Sequence, residues 1–152
     1  MAVTVIGIIC ERPFGDIVAH FQGLGGDVIL MNPRYVCGRD HIISAAMHAE
    51  RAFEHGTNRS KSVITETILY AAGERQISKA LAKMRPEDGS SGMVAAVFGV
   101  DDLRLDAIGA VIDDGLMECT PEKAKELGLI VQGIRPEDLA LEMVALMDVQ
   151  KQ

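Results

Sequence analysis

Nothing in this chain approaches the roughly 20 consecutive apolar residues that a membrane-spanning helix requires, and no basic leader opens it, so a soluble, cytoplasmic protein with no membrane contact is expected. Cysteine is scarce. Cys10, Cys37 and Cys119 are odd in number, widely scattered and free of CxxC spacing, which predicts reduced thiols, buried as small apolar residues, in an intracellular protein. Also missing are HExxH, GxSxG, a phosphate-binding P-loop and the kinase signatures. No nucleophile, base and orienting group come together, and neither a cofactor nor a metal is expected.

Two features mimic sites. His41, His48 and His55 recur every seven residues near one face of a predicted helix. At about 1.5 Å rise per residue, neighbours stand about 10.5 Å apart, whereas zinc ligands sit about 2.1 Å from their ion, so the spacing is not that of a metal site. Gly23-Leu24-Gly25-Gly26-Asp27 brushes against the dinucleotide glycine pattern but lacks the preceding strand and following helix, and reads as a plain turn. The pairs Asp101-Asp102 and Asp113-Asp114 lie at predicted element ends, where capping explains them.

What is present is ordinary globular material. With 152 residues, 48% hydrophobic and 24% charged, the chain suits one domain that buries roughly 70% of its unfolded surface. Val3–Ile9 reads as a strand, followed by a short helix from Pro13 to Phe21. Val28–Met31 and Tyr35–Cys37 read as short strands of a hairpin around Asn32-Pro33. From Asp40, the apolar positions Ile42, Ala45, Ala46, Ala49, Ala52 and Phe53 recur at three and four, predicting an amphipathic helix closed by Gly56. A second helix spans about Lys61 to Ala72 and a third runs from Ile77 until Pro86 stops it. MVAAVFGV, residues 93–100, fits a strand buried on both faces. Leu103–Ile112 fits helix or strand, with helix favoured and Gly109 as its weak point, Thr120-Pro121 starts a short helix reaching Leu127, Leu129–Val131 is extended, and a final helix runs from Pro136 to Val149. The fold class is α/β: one mixed domain, a small, mostly buried sheet flanked by several helices.

The charge is unevenly spread. Residues 59–85 hold six basic side chains (Arg59, Lys61, Arg75, Lys79, Lys83, Arg85) against Glu66 and Glu74, a balance of +4, while the remainder sums to −11, giving the net −7. Such a segment is the footprint of a phosphate-bearing partner, although a solvated helix face has the same composition. On the third helix Arg75, Lys79 and Lys83 follow an i, i+4, i+8 stripe opposite the apolar Ile77, Leu81 and Met84. Gly73-Glu74-Arg75-Gln76-Ile77 offers main-chain N–H groups at a helix start, and Tyr70 offers a ring for a base as well as a core side chain.

HIISAAMHAERAFEHG, then NRSKSVITETILYAAGERQISKAL, then MVAAVFGV, about residues 35–100, resemble the kinase-binding subunit of the KEOPS complex, the family of the p53-related-protein-kinase-binding protein. The matching features are His41 opening an alanine-rich helix, Lys61-Ser62 with Glu66 to Tyr70, and Ile77 to Leu81 before a buried strand. Where family members continue the third helix with phenylalanine, glycine and an aliphatic residue, this chain has Met84-Arg85-Pro86. The resemblance implies a noncatalytic subunit that binds and stimulates a small kinase-like ATPase and engages the tRNA 3′ end during threonylcarbamoyladenosine modification. Carried onto this chain, it implies tRNA contacts at Arg59, Lys61, Gly73, Arg75, Gln76 and Ile77, with Tyr70 beside them and Lys79 and Lys83 as outer phosphate contacts. The kinase-like partner is expected on the last helix, at Leu139, Met143, Leu146 and Met147. A small-molecule pocket or enzyme in the same basic region, and a purely structural oligomer, are the competing readings.

Overall fold

An apolar run with no polar break has two faces to bury. In the computed structural model, which describes residues 2–150, that run forms the inner strand β3 (Gly92–Phe98), buried from Met93 onward. Strands β1 (Val3–Ile9) and β2 (Asp27–Met31) flank it antiparallel, with Val3 and Asp27 both opposite Phe98. A two-residue strand, β4 (Val111–Ile112), pairs with the end of β1, giving the order β2-β3-β1-β4.

Side chains alternate across this sheet and so sort into two cores. Met93, Ala95 and Val97 join Ile6, Ile8 and Val28 beneath Ile17 and Phe21 of α1 (Phe14–Gly23). Val94, Ala96 and Phe98 join Val5, Ile29 and Met31 on the other face. That face carries α2 (Arg39–His55), α3 (Val63–Ala72), α4 (Ile77–Met84) and α6 (Pro136–Gln150). A short helix, α5 (Pro121–Glu126), is capped by the Thr120 hydroxyl, which accepts from the Lys123 N–H at 3.3 Å. The predicted α/β class, with a buried sheet under several helices, is the one observed.

Three local expectations fail. Val28–Met31 does not form a hairpin with Tyr35–Cys37: Pro33–Tyr35 is a 3₁₀ turn capped by the Asn32 side chain, and β2 pairs instead with β3. Proline has no N–H to give a ladder and its fixed φ suits the first position of a helical turn. Leu103–Ile112 is not a helix. A 3₁₀ turn over Leu105–Ile108 ends at Gly109, at φ 65°, after which β-branched Val111 and Ile112 form β4. Leu129–Val131, expected to be extended, is non-helical and lies outside the sheet, with Val131 making one bridge to Ile134 across a tight turn. Cys10 is a buried free thiol as expected, but Cys37 and Cys119 form a disulfide between segments 82 positions apart.

His41 shows why the histidine spacing is not a ligand pattern. Its ring is buried, Nδ1 accepts from the Cys37 N–H at 3.1 Å, and Nε2, which must then carry the proton, donates to the Ala71 carbonyl at 2.9 Å. Burial, helped by the Lys83 ammonium, holds its pKa down to about 4 from an ordinary 6.5. The unfolded chain therefore takes up a proton between pH 6.5 and 4 that the folded chain refuses. Stability from this group is complete above about pH 6.5 and falls as the pH drops toward 4, by at most about 3 kcal/mol. Urea unfolding at pH 7 and pH 4.5 measures this loss, and His41→Gln is expected to flatten the slope over that interval.

Candidate nucleic-acid interface

The basic segment is built around a buried acid. Glu66, on the first turn of α3, is fully buried; its carboxylate accepts from the main-chain N–H groups of Arg59 (3.0 Å) and Ser60 (2.8 Å) and from the Ser60 hydroxyl (2.8 Å). The Ser62 hydroxyl caps the same helix by accepting from the Thr65 N–H at 3.1 Å. These bonds fix the loop that presents the exposed side chains of Arg59 and Lys61 at the entrance to α3.

Ten residues later the helix ends at Gly73 in the left-handed conformation, φ 65°, with the Glu74 N–H closing onto the Leu69 carbonyl at 3.2 Å. A Cβ at Gly73 would come within 2.9 Å of the Met143 sulfur on α6, so the corner is tight as well as turned. The chain then enters α4 through Gln76, which makes no side-chain cap. Arg75, Gln76, Ile77 and Lys79 are all exposed at this corner. Arg59 and Lys61 lie at the other end of α3, whose ten residues span about 15 Å, so the segment presents two basic points rather than one.

The packing of α4 departs from the expected stripe. Its buried face is Ala80 and Met84, leaving Ile77 39% and Leu81 43% exposed. Helical spacing sets these two apolar groups on one flank of the solvent-facing arc and Lys79 on the other, with small Ser78 and Ala82 between. Lys83 does not point outward: its ammonium donates to the Ala72 carbonyl at 2.9 Å and lies 5.8 Å from the centre of the Tyr35 ring. Unpaired carbonyls at the C-terminus of α3 attract a cation within reach more strongly than solvent does. Arg85 pairs with Asp88 at 3.1 Å and Arg34 with Glu87 at 3.7 Å, all at the rim of a cavity of about 340 Å³ that Tyr35 and Lys83 also line. Those carboxylates offset the cations there.

Two further expectations are corrected by burial. Tyr70 is fully buried and donates its hydroxyl to Asp148, so its ring is not presented to a base. Burial, then the Asp148 carboxylate, push the phenol above the ordinary tyrosine range, opposed by the nearby charge of Arg59. Asp148 also accepts from His48 Nδ1 at 2.5 Å, so it joins α6 to both α2 and α3. Met147 is buried in the core beside Val144, and is not a surface anchor. Leu139 packs half-buried against the Cys37–Cys119 cluster, and Met143 is half-buried at Gly73. Of the four apolar residues expected to meet a partner, Leu146 is exposed, at 46%; Val149 at 63% lies further along α6, and Met47 at 54% sits on neighbouring α2. Sequence periodicity missed Val149 and Met47 because each lies off the stripe that packs.

Residues 22–150 match a protein family described as kinase binding protein CGI-121. A search among curated proteins found no match. No helix among the described residues is long and apolar enough to cross a membrane.

Proposed function

We propose that this chain, which belongs to the CGI-121 family of kinase-binding proteins, is the noncatalytic, cytoplasmic subunit of the KEOPS tRNA threonylcarbamoyladenosine modification complex. In that complex it binds and stimulates the kinase-like ATPase and holds the tRNA 3′ end. Kinase binding rests on the family. The RNA reading is carried by one observation: around the α3–α4 corner Arg75 and Lys79 are exposed, and so are the apolar Ile77 and Leu81, with Lys79 and the apolar pair on opposite flanks of the solvent-facing arc of α4. A single-stranded terminus is held by cations on its phosphates and by apolar or planar groups against its bases, and this corner offers both apart from stacking aromatics. Arg59 and Lys61 serve as a second phosphate point across α3. The exposed Leu146 and Val149 of α6, with Met47 of α2, are the apolar groups we assign to the kinase-like subunit.

The test is a pull-down with a kinase-like ATPase of the complex and with tRNA, alone and together. All three are expected in one assembly, with the RNA lost as salt rises and the ATPase retained. An isolated chain that captures neither partner contradicts the reading.

A further inference from the structure

Three chain segments distant in sequence converge where Cys37, Cys119 and Glu137 meet: the two sulfurs and a Glu137 carboxylate oxygen all lie within 4.8 Å of one another. We propose that, once the Cys37–Cys119 disulfide is reduced, these three side chains form a thiolate-rich site for a divalent transition metal of the zinc class. Reduction by a dithiol transfers two electrons and two protons, breaking the S–S bond to give two thiols and leaving the dithiol as its own disulfide. The metal then displaces one proton from each thiol and binds two sulfurs and a carboxylate oxygen. Two soft sulfurs and one carboxylate suit zinc or cobalt(II), with a fourth position left to water.

The surrounding structure keeps the two cysteines together without their covalent bond. The Gly38 N–H donates to the Met117 carbonyl at 2.7 Å, and the Lys123 ammonium donates to the carbonyls of Val36 (3.1 Å) and Leu116 (2.5 Å). The Gly38–Met117 and Lys123–Val36 bonds join the segment carrying Cys37 to the one around Cys119, and the Lys123–Leu116 bond braces the second segment on itself. The sulfurs need separate only from about 2 Å in the disulfide to about 3.8 Å across a tetrahedral ion. Cys37 is buried, while Cys119 is partly exposed in the loop before α5 and is the one free to shift. Glu137 is on the first turn of α6 and is held at present by Arg135 at 3.0 Å, an exposed ion pair that costs little to open. A cavity of about 330 Å³ beside it, lined also by Asp40 and Asp138, gives water access to the open position. His41 is not a ligand, since both its ring nitrogens are engaged, but its bond to the Cys37 N–H steadies that ligand's main chain.

The site is sulfur-bonded or metal-bonded, never both. Titrating the whole protein with Co²⁺ under a reducing, metal-free atmosphere tests this, with the sulfur-to-cobalt charge-transfer absorption as readout. One equivalent is expected to bind with that absorption in the reduced protein, with loss of the band after oxidation and in Cys119→Ser. Glu137→Gln is expected to keep the band but bind more weakly, and Zn²⁺ is expected to displace cobalt. No band in the reduced wild-type protein, an undiminished band in Cys119→Ser, or unchanged affinity in Glu137→Gln overturns the proposal; circular dichroism verifies that each variant is folded.

Discussion

Glu66→Ala is expected to lower the free energy of unfolding by about 3 kcal/mol, because the main-chain N–H groups of Arg59 and Ser60 lose the buried carboxylate that accepts from them. The Ser60 hydroxyl keeps the Ser62 carbonyl within reach at 3.0 Å and adds little to the loss. The damage should be local in kind though large in size. Ser62 caps α3 independently of Glu66, so the helix persists, while the loop that carries Arg59 and Lys61 loses its anchor. Glu66→Gln keeps an acceptor oxygen and should cost less than the alanine variant. Urea unfolding of the two variants checks the ordering, and an equal loss in both would show that the carboxylate is not the acceptor the loop depends on.

The second large effect concerns RNA. Reversing charge at Arg75 and Lys79 together is expected to weaken tRNA binding at least about tenfold and to make the slope of log K against log salt shallower by about 1.4, the value for two contacts to single-stranded phosphates. Both side chains are exposed at the α3–α4 corner and outside the buried face of α4, where an ion pair is worth at most about 1 kcal/mol, so the thermal midpoint should move little. Lys125→Glu, an exposed cation on α5, is the control and should leave binding unchanged. Lys83→Glu should behave differently from either, costing stability through the lost bond to the Ala72 carbonyl.

Elements whose cause is local were legible in the sequence. The unbroken MVAAVF run announced β3, the three-and-four recurrence of alanines announced α2, and Thr120-Pro121 announced α5. The features with no local signature depend on chain segments far apart. The pairing of Val28 with Val97, rather than with a neighbour across Asn32-Pro33, is set by the sheet and leaves no mark near residue 28. Cys37 and Cys119 carry no mutual signal at a separation of 82. Charge counting gave the basic segment its correct sum but not its geometry: Glu66 is inside, Lys83 folds back on α3, and Arg59 approaches the Tyr70–Asp148 pair. Periodicity reports a face, so it leaves Tyr70 open between core and surface and sets Met147 outward, whereas α3 is buried all round from Glu66 to Ala72 and Met147 lies in the core. The exposure of Ile77 and Leu81 was equally hidden, and it is these two side chains that give the corner its apolar half.

On the proposed function, the α3–α4 corner holds a single-stranded RNA terminus and does not merely carry positive charge. Binding of intact tRNA and of the same tRNA trimmed of its 3′ single strand, compared in one buffer, tests it most directly. Trimming is expected to remove most of the affinity of the wild-type protein and to make little difference to the Arg75→Glu, Lys79→Glu double variant. Equal affinity of the wild-type protein for intact and trimmed tRNA would contradict the account.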